Sequence, residues 1–111
     1  MTQAELYTAL KTLGLPVAYR EFKSIPENPA PAPPFICYQF KDDDDIKADN
    51  QNYFGINNFD IELYTEKKDP ASEASIENML KTNRLPYTKR EFFIESEDLI
   101  QVIYEIQLIG G

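Results

Sequence analysis

The chain has 111 residues, 42% of them hydrophobic and 13% aromatic, which suits one domain built around a single core. Its formal net charge is −8, with 11 basic residues scattered among 19 acidic ones. General nucleic-acid binders need clustered basic side chains to neutralise phosphates, so this composition argues against that class. The composition is compatible with an acidic surface that repels or mimics DNA.

Catalytic motifs are absent from the sequence. Histidine, the commonest general base and metal ligand, does not occur. Cys37 is the only cysteine and lies in an apolar segment, which predicts a small buried hydrophobe and not a reactive thiol. The four glycines do not form a phosphate-binding pattern. We therefore expect no enzyme, no catalytic residues, no cofactor and no metal site.

The sequence also lacks targeting signals. The first residues have neither the basic nor the apolar region of a secretory signal, and no apolar run approaches the roughly twenty residues of a membrane span. We expect the protein to fold in a cytoplasm and to make no contact with a membrane.

The first predicted element is a helix over residues 3–13. Thr2 and Glu5 have the spacing of a capping box. Gly14 and Pro16 end the helix, because glycine adopts the left-handed cap and proline cannot continue the hydrogen bonding. The apolar positions recur at helical spacing: Leu6, Leu10 and Leu13.

A Pro-rich arm over residues 23–34 follows a short extended segment at residues 17–22. Five prolines in this arm remove backbone donors and fix φ, so it must be extended and largely solvated. It is either a stiff connector between strands or a surface arm that docks on a neighbouring subunit.

An acidic loop over residues 42–52 is predicted after a strand at residues 35–41. Four consecutive aspartates at residues 42–45 repel one another and are poor strand formers. A calcium loop would alternate its ligands and contain a glycine, so we expect a solvated, mobile loop that becomes ordered on contact with a partner.

Alternation of apolar and polar residues predicts a long strand at residues 53–65, with Gly55 marking a bulge or an overhang. A second helix begins at Asp69-Pro70, an N-cap followed by proline, and ends before Pro86. Two final strands at residues 87–95 and 100–109 are joined by an acidic turn. The inward-facing positions expected in this half are Phe59, Ile61, Leu63, Ile76, Met79, Leu80, Asn83, Ile100, Val102, Tyr104, Ile106 and Leu108.

The element order is therefore α-β-β-β-α-β-β. Hairpin-length connections favour a single α+β domain over residues 1–111, with an antiparallel sheet and both helices packed on one face.

An internal similarity recurs at an offset of seventy residues, where a helix, a Leu-Pro stop and the triplet Arg-Glu-Phe are repeated. Duplication and the independent use of similar helix-to-strand junctions both account for it. Arg20 and Arg90 open the two triplets and are candidate interface residues on the sheet.

The start of the long strand is the stronger candidate interface. Phe54 and Ile56 alternate out of register with the core set that begins at Phe59, and the segment carries little charge. Exposed strand edges of this kind are templates for pairing. We predict that Tyr53, Phe54 and Ile56 belong to a subunit interface.

Three segments resemble small prophage proteins of Gram-positive bacteria: residues 15–22 (LPVAYREF), 60–69 (DIELYTEKKD) and 94–106 (IESEDLIQVIYEI). The chain is similar to the tail-terminator, or tail-completion, family of long-tailed phages, which join head and tail.

The resemblance implies a virion structural protein at the tail–head junction that self-associates into a ring, expected to be six-fold. Such a ring ends tail-tube polymerisation and contacts tail-tube and head-connector proteins. DNA would pass through it without specific binding. The alternative function is an acidic DNA mimic that inhibits a host nuclease or regulator.

Overall fold

Two helices and seven strands follow one another along residues 1–44, 46–47 and 53–109, the part of the chain that the computed structural model describes. In chain order they are α1 (Gln3–Lys11), β1 (Val17–Tyr19), β2 (Phe35–Asp43), β3 (Ile46–Lys47), β4 (Tyr53–Phe54), β5 (Ile56–Thr65), α2 (Pro70–Thr82), β6 (Thr88–Ile94) and β7 (Leu99–Ile109).

Both helices begin where the local sequence predicts. The capping box is present, since the N–H of Glu5 donates to Oγ1 of Thr2 at 3.1 Å and the N–H of Thr2 donates to Oε1 of Glu5 at 2.9 Å. In α2, Oδ1 of Asp69 accepts the N–H of Ser72 at 3.1 Å, and Pro70 is the first helical residue. Such caps need only neighbouring residues, which is why the sequence predicts them.

The two helix-to-strand junctions are alike in their backbone conformation. Gly14 and Arg84, seventy residues apart, both have left-handed φ angles, +82° and +56°. The junctions then diverge. β1 ends before Arg20, whose φ of +73° turns the chain out of the sheet, whereas β6 continues through Arg90. The predicted extended segment at residues 17–22 is therefore a strand only as far as Tyr19, whereas the second Arg-Glu-Phe triplet lies within β6.

The main sheet has five strands in the order β1-β2-β5-β7-β6. Three pairings are antiparallel, and β1 pairs with β2 in parallel. A parallel pair needs a long connection to return the chain to the same end of the sheet, and residues 20–34 supply it. The sheet is therefore mixed, and the prediction of an antiparallel sheet is wrong for the β1–β2 pair. With both helices on one face, the predicted α+β class of a single domain is confirmed.

The core lies between the helices and one face of this sheet. Leu6 and Leu10 of α1 pack there with the inner side of α2. The apolar positions predicted for β5 and β7 are buried, apart from Ile100, which is only partly buried. The prediction is wrong for Glu62 of β5, which is buried on the opposite face, and for Asn83, which is exposed at the end of α2. The buried residues that close the core are Ile36, Tyr38, Phe59, Ile61, Leu63, Ile76, Met79, Leu80, Val102, Tyr104, Ile106 and Leu108.

The predicted start of the acidic loop is wrong, because β2 continues through Asp42 and Asp43. These residues pair with Asn58 and Asn57 of β5, and the side chain of Asn58 donates to the Asp42 carboxylate at 2.6 Å. That partner compensates for the poor strand propensity of aspartate. The rest of the loop lies largely outside the described residues, at positions 45 and 48–52.

The predicted long strand is divided at Gly55 into β4 and β5. A shift in register does occur nearby, but on the neighbouring strand, between Phe40 and Asp42 of β2. The start of β5 is no overhang, because Asn57 pairs with β2 on one side and with β7 on the other.

Candidate interaction surface

The sheet face opposite the helices, here called the open face, is polar at its centre. In the strand registers, Cys37, Glu62, Ile103 and Arg90 form one row across the sheet, and Gln39, Asp60, Glu105 and Thr88 form the next. Sequence alternation assigns the polar residues of these rows to solvent, so the burial of Glu62 is a feature that the sequence reasoning missed.

Glu62 is the most buried acid of the open face, with 7% of its surface exposed. Its carboxylate accepts the side-chain N–H of Gln39 at 3.1 Å and the hydroxyl of Tyr64 at 2.8 Å. The side chain of Gln101 donates in turn to the Tyr64 hydroxyl at 2.9 Å. Burial raises the pKa of Glu62 above its usual value, and these two hydrogen bonds only partly offset the effect.

Asp60 and Glu105 sit side by side in the next row but have different environments. Glu105 pairs with Lys41 at 2.9 Å and with Nε of Arg90 at 2.9 Å, and the hydrogen bond from Lys41 is the main cause of its lowered pKa. Burial raises the pKa of Asp60, whose Oδ1 accepts no hydrogen bond from the described residues. Burial therefore raises the pKa of two acids on the open face, Glu62 and Asp60.

Replacing Glu62 with Gln is expected to stabilise the protein at pH 7 by about 1 kcal/mol, which is comparable to the net contribution of one hydrogen bond. The raised pKa means that the folded state binds this proton more tightly than the unfolded chain, so ionisation at neutral pH opposes folding. Gln resembles the protonated acid. The stabilisation should vanish as the pH falls below the usual value of 4.5, where Glu62 is protonated in both states.

Chemical denaturation at pH 7 and pH 3.5 measures the effect of this substitution. Glu66→Gln, at an exposed position in the same stretch of chain, removes the same charge and should change stability by less than about 0.5 kcal/mol. A Glu62→Gln protein that is less stable than the wild type at pH 7 would mean that the hydrogen bonds to Gln39 and Tyr64 outweigh burial.

At the end of β2, the open face becomes acidic and exposed. The side-chain amide of Asn58 donates to Asp42 at 2.6 Å and to Asp44 at 2.8 Å, and Gln107 donates to Oδ1 of Asn58 at 3.0 Å. Within the described part of the chain, the hydrogen bonds to these two carboxylates come from side-chain amides, and no lysine or arginine forms an ion pair with them.

A second charged cluster lies on the helix side and fastens α2 to β6. Lys89 contacts Glu73 at 2.7 Å and Glu77 at 2.8 Å, and Lys68 joins Glu73 at 2.8 Å to Glu91. Glu73 is buried. Burial alone would raise its pKa, but the bonds from the two lysines lower it below the usual value. This cluster is a structural clamp.

The predicted interface residues do not form a single site. Arg20 is exposed beside β1 and Arg90 lies on β6, so the two arginines are at opposite edges of the sheet. Ile56 is partly buried and pairs with Ile109 of β7. Tyr53 and Phe54 form β4, but the placement of their side chains lies outside the described part of the chain.

Exposed aromatic side chains lie at both edges of the sheet. Phe92 and Phe93 of β6 are 44% and 58% exposed, and Phe40 of β2 is 45% exposed. Tyr19, at the end of β1, is also exposed, and its hydroxyl accepts the N–H of Phe40 at 3.1 Å. The sequence predicts strands here but cannot show which of them lie at an edge, so these aromatics are not evident from it.

Cys37 is buried on the open face, as the sequence predicts. Burial, together with the negative charges of Glu62 and Glu21, raises its thiol pKa to about 11. The thiol is therefore protonated at neutral pH and a poor nucleophile.

An open groove of about 760 Å³ lies at the start of β6. Its walls carry charges of both signs, with Lys41 and Arg84 as well as Asp44 and Glu105 among the lining residues. Among the described residues, no three His, Cys, Asp or Glu side chains converge in a way that could hold a metal ion.

Comparison with known proteins does not identify the chain. No protein-family model matches it, and no curated protein matches it. Neither helix in the described ranges has the length and apolar character to cross a membrane.

Proposed function

We propose that this protein is a ring-forming structural subunit of a long-tailed phage, a tail terminator or head–tail joining protein. It ends polymerisation of the tail tube and docks the tail to the head. Its partners are further copies of itself, the tail-tube protein and the head connector. It is found in the host cytoplasm before assembly and at the tail–head junction of the virion afterwards.

The observation that carries this proposal is the exposure of aromatic side chains at both edges of one sheet. A ring subunit contacts two neighbours through two different surfaces, because a heterologous contact repeats head to tail around the ring. Phe40 and Phe93 lie on opposite sides of the five-stranded sheet and are about half exposed. Large exposed apolar side chains of this kind mark interaction surfaces when they occur in groups.

The charge of the molecule supports the same proposal. The net charge is −8, and the acidic end of β2 is exposed and bonded to amides. An acidic surface repels the DNA backbone, so DNA can pass through a ring of such subunits without binding to its wall.

The three segments that resemble phage proteins all contribute to the main sheet. Residues 15–22 contain β1, residues 60–69 run from the second half of β5 to the N-cap of α2, and residues 94–106 form the turn and most of β7. β5 and β7 are neighbours at the centre of the sheet. The resemblance therefore rests on scaffold positions, which supports a shared fold more directly than a shared partner.

Electron microscopy of particles made with and without the gene tests the proposal. The deletion should leave filled heads separate from tails, and the tails should be abnormally long. Complementation with the intact gene on a plasmid is the matched control and should restore joined particles. Normal infectious particles from the deletion would contradict the proposal. If such particles also lost protection against a host DNA-binding protein, the DNA-mimic function would replace it.

A further inference from the structure

The chain turns sharply at Arg20, the first residue after β1. Its φ angle is +73°, and the N–H of Glu21 donates to the carbonyl of Tyr19 at 2.8 Å. A hydrogen bond between residues two apart, across a central residue with such a φ, belongs to the strained form of the γ-turn. Glycine adopts a positive φ without steric cost and arginine does not, so the backbone is strained at Arg20. Strain of this kind is common in segments that switch between conformations.

Residues 20–22, here called the strap, fold back over β2 after this turn. The N–H of Arg20 donates to the carbonyl of Tyr38 at 2.8 Å, as it would in a continuing parallel ladder. Two residues later, the ring of Phe22 lies 5.4 Å from the ring of Phe35, the first residue of β2. The strap therefore runs back along β2, towards the start of that strand.

The strap contributes to the burial of Cys37. Phe35 and Cys37 share the open face, because they alternate with Ile36 of the core. Cys37 is only 3% exposed, although both helices pack on the other face of the sheet. Burial is the main cause of its raised thiol pKa, and the charges of Glu62 and Glu21 add to the rise. Since Glu21 belongs to the strap, the strap lies close enough to the thiol to form part of its cover.

A straightened strap would continue β1 along the outer edge of β2. β1 pairs with β2 as far as Tyr38, and no described strand pairs with the outer side of Gln39 and Phe40. On that side, the N–H of Phe40 donates to the side-chain hydroxyl of Tyr19 at 3.1 Å. In a continued parallel ladder, the carbonyl of Arg20 would accept this N–H instead. The register shift after Phe40 would end the extension there.

The sequence of the strap is compatible with a strand. The same triplet, Arg-Glu-Phe, recurs seventy residues later as Arg90-Glu91-Phe92 and lies within β6. The bend at Arg20 is therefore not imposed by the residue types of the triplet. It is held by contacts of the bent state, of which the packing of Phe22 on Phe35 is one.

We propose that the strap is a conformational switch between this bent state and a straight state that extends β1. In the bent state, the strap covers Cys37 and leaves the outer edge of Gln39 and Phe40 to the Tyr19 hydroxyl. In the straight state, the strap pairs with that edge, relieves the strain at Arg20 and uncovers the thiol. The two surfaces are therefore exposed alternately and never together. This switch is independent of the phage role proposed above.

The rate at which Cys37 reacts with dithiobis(nitrobenzoate) at pH 8 tests the switch, because Cys37 is the only cysteine of the chain. Arg20→Gly removes the strain of the bent state, so its thiol should react about five-fold more slowly than that of the wild type. Arg20→Val should react about ten-fold faster, because a β-branched residue strongly disfavours a positive φ and populates the straight state.

Arg84→Val is the matched control, since Arg84 also has a positive φ, +56°, but lines the groove at the start of β6. It should leave the rate of thiol modification unchanged. Repeating the reaction at low urea concentrations separates straightening from unfolding. A rate set by the switch is nearly independent of urea, whereas a rate set by global unfolding rises steeply.

Amide hydrogen exchange at Phe40 distinguishes a straightened strap from a detached one. Tyr19→Phe removes the hydroxyl that accepts the Phe40 N–H, so this amide should exchange faster in Tyr19→Phe than in the wild type. In the Tyr19→Phe/Arg20→Val protein, the carbonyl of residue 20 should accept the N–H and slow the exchange again. A Phe40 amide that stays fast in the double variant would overturn the proposal.

The thiol reaction gives two further ways to overturn it. Arg20→Gly would react no more slowly than the wild type if the strained turn did not control the cover of Cys37. Arg20→Val would react at the wild-type rate, or only at the urea-dependent rate of global unfolding, if no straight state existed. If circular dichroism shows that Arg20→Val is unfolded, the rate for Arg20→Gly decides the matter alone.

Discussion

Replacing Lys89 with Met should lower the free energy of unfolding at pH 7 by about 2–3 kcal/mol, somewhat below the ~3–5 kcal/mol for breaking a fully buried ion pair. Lys89 bonds Glu73 at 2.7 Å and Glu77 at 2.8 Å, and Glu73 is only 4% exposed. Removing the ammonium leaves a buried carboxylate with one partner, Lys68, which is itself half exposed. Because Lys68 stays bonded to Glu73, the expected loss of unfolding free energy is smaller than that for breaking a fully buried ion pair.

A double-mutant cycle isolates this interaction. Glu73→Gln removes the buried charge, so Lys89→Met should cost much less in the Glu73→Gln protein than in the wild type. Urea denaturation of the four proteins at pH 7 gives the coupling free energy. Equal costs of Lys89→Met in the two backgrounds would show that Glu73 and Lys89 are not energetically coupled.

The same clamp predicts a dependence of stability on acid. The pKa values of Glu73 and Glu77 are lowered in the folded protein, where their partners are Lys68 and Lys89 for the first and Lys89 for the second. Such groups stabilise the fold above their unfolded value of 4.5, and this contribution is lost as the pH falls through the folded values. The pKa of Lys89 is raised, so its contribution is lost only in strong alkali. Lys89→Met should therefore unfold with a shallower acid dependence than the wild type.

Ile61→Ala should destabilise the protein by about 3–4 kcal/mol, within the range for deleting a large buried aliphatic side chain. Ile61 is 0% exposed and lies between Tyr38 of β2 and Tyr104 of β7. Neither rigid ring can easily move to fill the space, so a cavity remains.

Ile109→Ala is the matched control, because the same residue type is 56% exposed on β7. It should cost less than about 1 kcal/mol. Guanidinium denaturation of both variants measures the difference. Similar losses for the two positions would contradict the assignment of the core to the helix side of the sheet.

Elements defined by neighbouring residues were predictable from the sequence. Thr2 and Asp69 cap their helices through bonds to residues three positions away. The alternation of β7 is likewise local, and its apolar side faces the core as predicted. These features need no knowledge of distant parts of the chain, which is why they are confirmed.

Features that depend on a neighbouring strand were not predictable. Asp42 and Asp43 continue β2 because β5 supplies Asn57 and Asn58 opposite them. Glu62 is buried because Gln39 and Tyr64 flank it on the open face. When each strand is considered without its neighbours, Asp42, Asp43 and Glu62 are all assigned to solvent. The sequence signal for this polar network was the set Gln39, Tyr64 and Gln101, which lie at alternating positions of neighbouring strands.

The candidate interface was predictable only in part. Arg90 lies on the edge strand β6 and Arg20 beside β1, and their interface role stays a prediction. The exposed aromatics Phe40 and Phe93 were not singled out from the sequence. Edge position depends on the order of strands in the sheet, and spacing along the chain does not determine that order. The interface role of Tyr53, Phe54 and Ile56 stays a prediction.

A tail-terminator subunit remains in the finished particle, so quantitative mass spectrometry of purified virions is a direct test of the proposed role. This chain should be present in every joined particle, at one ring of copies per tail, and should be lost from heads that carry no tail. Virions that are complete, infectious and free of this chain would contradict the proposed role.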